Sequence, residues 1–449
     1  MLSATAYAQT ASEVAKLAID TNPEVQANWH AFMASGHDIG IVSGGYRPTV
    51  DFLAGYGREW RDDNAGGSRS YNAGAAEITL TQMLFDGFRT RSEVKRFESA
   101  QLVRYFELLE TVEGTALQAI IAYQDVMRFR ELLSLAEENL EQHISVFDQI
   151  QESARAGVAR GADLEQINGR LSLAEANLIT EISNLHDVSA RYLRIVGELP
   201  PASLAPTNLS STMLPADIRE AIQLAYEGSP TFHATLRNIE ASKAGVESRR
   251  SFMRPELNLV AGVGVTDNAD GISGTREDAR IGLQLRYNLY RGGSDSAALN
   301  KSLQEVNLAK DQRDTACVNV RQTVQIAYND TRKLNEQLPI LNQHKISSDR
   351  VRVAYKNQFD IGERTLLDVL DSENEYFQAS RAYSNALYDR EIAVARTLAT
   401  MGQLLPALEI VREGLPSLSD LNADEMVVDA ESACPAYDVN ESLARTGLR

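Results

Sequence analysis

Leu257-Asn258-Leu259-Val260-Ala261-Gly262-Val263-Gly264-Val265 is the stretch on which the fold turns, and Ile281-Gly282-Leu283-Gln284-Leu285-Arg286-Tyr287-Asn288-Leu289 is its counterpart. In the first, Leu257, Leu259, Ala261, Val263 and Val265 fall on every second position; in the second, Ile281, Leu283, Leu285, Tyr287 and Leu289 do. Period-two patterning places such residues on one face of an extended strand. It predicts strands over 255–266 and 279–290. A fainter copy lies upstream, with Val50, Phe52, Ala54, Tyr56 and Trp60 on one face of a strand over 48–60. Its partner covers 71–85, where Ile78, Leu80 and Leu84 share a face and Gln82 interrupts it. Two separate strand pairs result, joined by the polar loops Arg61 to Ser70 and Asp267 to Asp278. Pro48 and Pro255 suit the change from helix to strand, since proline cannot continue a helix but can open a strand.

The two patterns are related by duplication. At a shift of 207, Asn22-Pro23 matches Ser229-Pro230, Arg47-Pro48 matches Arg254-Pro255 and Ala54-Gly55 matches Ala261-Gly262. Past the first strand loop the shift becomes 205, matching Leu84 to Leu289, Gly87 to Gly292, Ile121-Ala122-Tyr123 to Ile326-Ala327-Tyr328, Gly157 to Gly362, Asp163 to Asp368 and Gly197 to Gly402. A unit this long is not a solenoid repeat but half of a pseudo-twofold protein.

Each half reads helix, strand, strand, long helix, tight break, long helix. The first repeat covers 9–198 with long helices over 87–156 and 162–197; the second covers 216–404 with long helices over 292–358 and 365–402. Between Gly87 and Ala156 there is no proline and only Gly114 weakens the helix, which allows a rod of roughly 100 Å at 1.5 Å per residue. Leu102, Phe106, Leu109, Ala116, Ile120, Tyr123 and Met127 keep three-four spacing, as do Leu164, Ile167, Leu171, Ala174, Leu178, Leu185, Val188, Tyr192 and Ile195 on the returning helix. Such seams predict coiled-coil packing. Pro339 is expected to kink the outgoing helix of the second half. Residues 199–215, with four prolines, read as a linker, and 405–449 as an irregular acidic tail. Ala6-Tyr7-Ala8 before Gln9 has the form of a signal-peptidase site, so 1–8 reads as the remnant of an export signal.

Composition narrows the function. The 449 residues carry 62 acidic and 44 basic side chains, a formal charge of −18 that opposes sequence-independent binding of nucleic acid. Two cysteines, Cys317 and Cys434, cannot make a disulfide framework, and neither a compartment nor redox chemistry follows from them. No apolar run is long enough for a membrane-spanning helix, but spanning strands need only about 9 to 11 alternating residues. Four strands cannot close a barrel, which takes about eight before side chains fill it. An open sheet in lipid would cost several kcal/mol for each unpaired backbone group. Strands in a membrane therefore require chains to associate, with the long helices extending from one side. A soluble helical protein with a small sheet is the other reading of the same pattern.

Several motifs resemble the TolC family over about residues 12 to 404. They are the duplicated order, the Arg-Pro pairs, Leu84-Phe85-Asp86-Gly87, Leu289-Tyr290-Arg291-Gly292-Gly293, and Gly362-Glu363-Arg364-Thr365-Leu366-Leu367-Asp368-Val369-Leu370-Asp371. The last is the most specific. The resemblance implies a mainly α protein with a transmembrane β-barrel: a homotrimer with four strands per chain in a twelve-stranded barrel, continued by a coiled-coil helical tunnel in the periplasm. Its place is the outer membrane, among lipid, and its partners are a periplasmic adaptor (membrane fusion) protein and an inner-membrane ABC or RND transporter. It would be an exit duct for type I protein secretion, ahead of multidrug efflux, with a non-conducting envelope scaffold as the remaining alternative.

Both helix pairs break at a glycine followed six residues later by an aspartate. Asp368 and Asp371 share a helix face, and threefold symmetry would make them an acidic ring that attracts cations. Thr365 with Asp368 also has capping-box spacing, which explains the same acid locally. By resemblance, Arg364 and Asp163 match a latch that holds the tunnel entrance closed, while Phe359 and Ala162 depart from it and remove two hydrogen-bonding side chains. Gly157, Gly362, Thr365 and Leu366 are the expected adaptor-contact tips. Catalysis finds no support: the six histidines lack partners at ligand spacing, Asp267 to Gly271 has the wrong alternation for a calcium loop, and no phosphate or nucleophile motif occurs. No cofactor or metal site is expected.

Overall fold

The computed structural model describes residues 8–63, 67–157, 160–207, 209, 211–412, 414–423, 433 and 434. The expected signal remnant lies outside them except for Ala8, as do loop residues 64–66 and most of the tail beyond Ala423. The chain divides into two compact units, one of Met1–Trp29, Glu107–Phe232 and Thr315–Arg449, the other of His30–Phe106 and His233–Asp314.

The element order repeats. Helices α1 (Ala11–Thr21) and α2 (Pro23–Ser43), strands β1 (Thr49–Asp63) and β2 (Gly67–Phe85), and helices α3 (Arg89–Arg155) and α4 (Gly161–Val196) are followed by α5 (Ile218–Gly228), α6 (Pro230–Ser251), β3 (Glu256–Asp267), β4 (Thr275–Arg286), α7 (Ser294–Asp360) and α8 (Leu366–Thr400). A single turn, α9 (Leu404–Ala407), follows.

In the second unit the strands form one antiparallel sheet in the order β1-β2-β3-β4. The two expected pairs are thus not separate: β2 and β3 join them, from Gly74 opposite Asp267 to Phe85 opposite Leu257, with a bulge near Met83. The first hairpin is longer than its polarity predicted, because polar side chains pair across it instead of marking a loop. Tyr71 donates to Glu59 at 2.8 Å and Arg58 to Ser70 at 2.8 Å. Strand β4 ends at Arg286, short of the predicted 290, and Asn288 accepts the Tyr290 N–H in a turn at 3.0 Å. Among the described residues β4 is an edge, with no second strand to extend its ladder. Val50, Phe52, Tyr56 and Trp60 on β1 and Ile281, Leu283 and Leu285 on β4 are all exposed. Arg254, of the Arg-Pro motif, donates to the Gly87 carbonyl at 3.0 Å, and at Gly87 (φ +69°) a Cβ would lie 2.8 Å from that of Arg254.

In the first unit the halves repeat their fastenings. Tyr123 places its hydroxyl against the Gln9 carbonyl at 3.0 Å and that of Ala205; its counterpart Tyr328 meets the Pro215 and Ala216 carbonyls at 3.0 and 2.8 Å. Arg130 donates to the Pro201 and Ala202 carbonyls, so two carbonyls of the proline-rich linker are satisfied by a helix side chain. Helix α7 runs without a break through Pro339. Ile167, Ala174, Glu181, Val188 and Ile195 are all buried at seven-residue spacing, and on α8 Leu366, Glu373, Ser380 and Val394 are buried on one seven-residue register in which Leu387 is half-buried. Apolar seams therefore carry polar residues at intervals. Among the described residues no helix is long and apolar enough to cross a membrane.

The cysteines add what the sequence leaves open: Cys317 and Cys434 are disulfide-bonded, 117 residues apart. Nothing local announces this, since the two residues lie far apart in sequence and no periodic pattern links them.

Candidate functional site: the tips of the helix pairs

Helix α7 ends in a Schellman motif. Gly362 takes φ +79°, its N–H bonds the Phe359 carbonyl at 2.9 Å, and Glu363 N–H bonds the Gln358 carbonyl at 2.8 Å. Helix α3 ends similarly, with Gly157 at φ +75° and its N–H on Ala154 at 3.0 Å. Added Cβ atoms would meet nothing at either glycine, so these positions need glycine for its backbone freedom, not for room. The next helices open on the aspartates. Asp163 accepts the Arg160 N–H at 3.2 Å. Asp368 accepts from the Thr365 hydroxyl at 2.8 Å and N–H at 3.1 Å, while Thr365 Oγ1 caps Asp368 N–H at 3.3 Å. The Thr365 hydroxyl, more than its N–H, holds the Asp368 carboxyl below the usual carboxylate range. The glycine-to-aspartate spacing is thus the distance from a C-terminal stop to the third residue of the next helix.

Between the tips lies an apolar cluster of Val146, Ile150, Ile167, Leu366, Val369 and Leu370, with Phe147, Leu164 and Phe359 packed against it. Phe359, which the sequence marks only as a lost hydroxyl, is part of this packing. Leu366 is buried in it and is not free for an adaptor, whereas Leu367 and Ile361 are exposed.

The latch is not formed within the protomer. Arg364 donates to Gln358 Oε1 at 2.9 Å, lies 4.2 Å from the centroid of the Tyr355 ring and stands 3.9 Å from Asp368. Gln358 and Tyr355 lie on the last turns of α7, so Arg364 folds back on its own helix pair and does not reach Asp163. Asp371 is paired with Arg170 on α4 at 3.0 Å, which compensates part of the expected acidic ring.

Other charged residues here escaped the sequence reading. Arg352 bridges Glu138 on α3 and Glu373 on α8 at 3.2 and 3.4 Å, bonds Asp349 at 2.8 Å, and lies 3.6 Å from the Tyr376 ring centroid. Arg381 meets Glu181 at 2.6 Å. A signal existed: Glu181 and Glu373 occupy seam positions of a seven-residue repeat, where an acid needs a cationic partner.

The family described as outer membrane efflux protein matches residues 14–198 and 221–403. Outer membrane efflux protein BepC of Brucella suis biovar 1 (strain 1330) is 27% identical over 336 residues, covering 74% of this chain and 72% of that protein. Outer membrane protein TolC of Escherichia coli (strain K12) is 23% identical over 368 residues, covering 78% and 73%. The crystal structure of the Campylobacter jejuni CmeC outer membrane channel superposes with a TM-score of 0.81 at 15% identity, covering 88% of this chain and 86% of that one, a likeness of fold.

Proposed function

Because this chain belongs to the outer membrane efflux protein family, we propose that three copies close one barrel, four strands from each, as the exit duct of a tripartite export system. One observation carries this reading: a sheet whose outer strands β1 and β4 each pair on one side among the described residues, with apolar side chains exposed along both. In lipid, unpaired backbone groups cost several kcal/mol each, and pairing β4 of one copy with β1 of the next satisfies them. The number three follows the TolC resemblance. The partners are a periplasmic adaptor and an inner-membrane ABC or RND transporter, met at the glycine-marked tips Gly157, Gly362 and Thr365. Asp368 and the partly compensated Asp371 face cations at the mouth. Arg364 and Asp163, apart in the protomer, meet between neighbouring copies.

Type I protein secretion is the finer reading of the cargo. Multidrug efflux is the second, favoured by the word efflux in the descriptions of the family and of the Brucella relative. Purified protein should conduct ions in planar bilayers and run as a heat-sensitive trimer on a gel; a protein that does neither is a scaffold. A deletion strain that loses a secreted protein while keeping drug resistance supports secretion, and the reverse supports efflux.

A further inference from the structure

The C-terminal segment beyond α8 is held at four of its described residues. The Leu404 N–H donates to the buried Glu113 carboxylate on α3 at 3.0 Å. The Ser12 hydroxyl on α1 donates to the Leu408 carbonyl at 2.7 Å, and the Arg412 guanidinium lies 5.0 Å from the centroid of the Trp29 ring on α2. Further along, Cys434 is bonded to Cys317 on α7. Helices α1 to α3 belong to the first repeat and α7 to the second, so the segment ties both. Leu404, Leu408 and Ile410 are buried, as an accessory that merely trailed from α8 would not be.

We propose that Cys317 and Cys434 are a site of oxidative modification that fastens the C-terminal segment as a strap across both repeats, the oxidant being a protein disulfide met after export. Structural disulfides form outside the reducing cytoplasm, where an outer-membrane protein completes its folding. A thiolate of one cysteine attacks the donor disulfide and releases one donor thiolate; the second cysteine then attacks the mixed disulfide and releases the other. One S–S bond forms here and one is lost in the donor, which gains two electrons, while the two cysteine protons go to water or to the departing thiolates. Cys317 is 0% and Cys434 8% exposed in the finished fold. A donor could not approach them there, so the exchange precedes the final seating of the strap, and afterwards packing shields the bond from soluble thiols.

Mass mapping of protein from outer membranes, denatured and alkylated without reductant, should yield the Cys317 peptide joined to the Cys434 peptide. Recovery of both cysteines alkylated would overturn the proposal. In detergent, the C317S/C434S double variant should lose its chain beyond Leu404 to proteinase K at least about tenfold faster than the oxidised wild type, since opening no longer works against a closed loop. Equal rates would overturn the strap. Should that variant fail to fold, wild type made in a host lacking the dithiol oxidase gives the same comparison. Folded wild type should also keep its bond in reduced glutathione and lose it on unfolding; ready reduction of the folded protein would refute the shielded strap. These readouts do not depend on conductance, so they fail separately from the duct reading.

Discussion

Arg381→Ala tests whether the seams hold by charge as well as by packing. Glu181 sits on the α4 seam between Ala174 and Val188 with its side chain 1% exposed, and Arg381 meets it at 2.6 Å. Asn184 is a second donor at 3.2 Å, and Arg381 also lies 5.3 Å from the centroid of the Phe377 ring. Removing one member of a buried pair costs about 3 to 5 kcal/mol, because the remaining charge stays in a poorly solvating place. The lost contact with Phe377 adds about 0.5 to 1 kcal/mol, and the retained Asn184 bond offsets a similar amount. The net expectation is a loss of about 3 to 5 kcal/mol, read as a fall in the unfolding midpoint followed by circular dichroism in detergent. Glu181→Leu with Arg381→Leu should recover most of it, since a well-packed apolar pair of similar size can replace a buried ion pair at little cost. An Arg381→Ala protein within about 0.5 kcal/mol of wild type, or a double variant no better than the single one, would refute the reasoning.

Arg170→Ala, at a pair whose side chains are 31% and 58% exposed, should cost at most about 1 kcal/mol yet shift the reversal potential toward cation selectivity by freeing Asp371. Arg364→Ala should raise open probability in single-channel recordings, and a variant that conducts no better than wild type removes the latch between copies. Burial pushes Glu113 up to about 7 from 4.5, against the pull of the Leu404 and Leu405 N–H groups. The folded state thus holds the proton more tightly, so stability is greatest below the unfolded value and falls as pH rises toward 7. The fall is about 3 kcal/mol at about 1.4 kcal/mol per unit, and Glu113→Gln should flatten this slope in melts taken across that window. A Cβ on Gly228 would collide with the Met401 carbonyl, so Gly228→Ala should lower the yield of folded protein and the melting temperature, whereas Ala at Gly55, with open space around it, should not.

How much of this was legible depended on whether a residue's role is local. The strands of the second half were readable because Leu257 to Val265 alternate, and the helix stops because Gly157 and Gly362 mark left-handed turns that glycine favours. The first hairpin exceeds its expected length because Glu59 with Tyr71 and Arg58 with Ser70 satisfy each other across strands, with no buried face to mark them. The joining of β2 to β3 and the pairing of Cys317 with Cys434 connect distant segments, for which periodicity carries no information. Within the protomer Arg364 bonds Gln358, six residues back, and a contact with a second copy of the chain leaves no mark in the periodicity of one copy.

Magnitudes rank what joins the two helix pairs at their tips. The cluster draws Val146 and Ile150 from α3, Ile167 from α4, and Leu366, Val369 and Leu370 from α8, each at most 6% exposed. At about 1.5 to 3 kcal/mol for each buried aliphatic side chain, exposing all six would cost on the order of 10 kcal/mol. The nearby Arg170 and Asp371 pair, open to water, contributes about a tenth of that or less. Charge at the tip therefore sets the electrostatics of the mouth while apolar contact sets its cohesion, and the two separate by mutation. Leu370→Ala, at a side chain 1% exposed, should cost about 2 to 5 kcal/mol and leave selectivity unchanged, the mirror image of Arg170→Ala. If Arg170→Ala instead destabilised the protein as much as Leu370→Ala does, the division between cohesion and charge would not hold, and the ion pair would have to be counted among the contacts that keep the tips together.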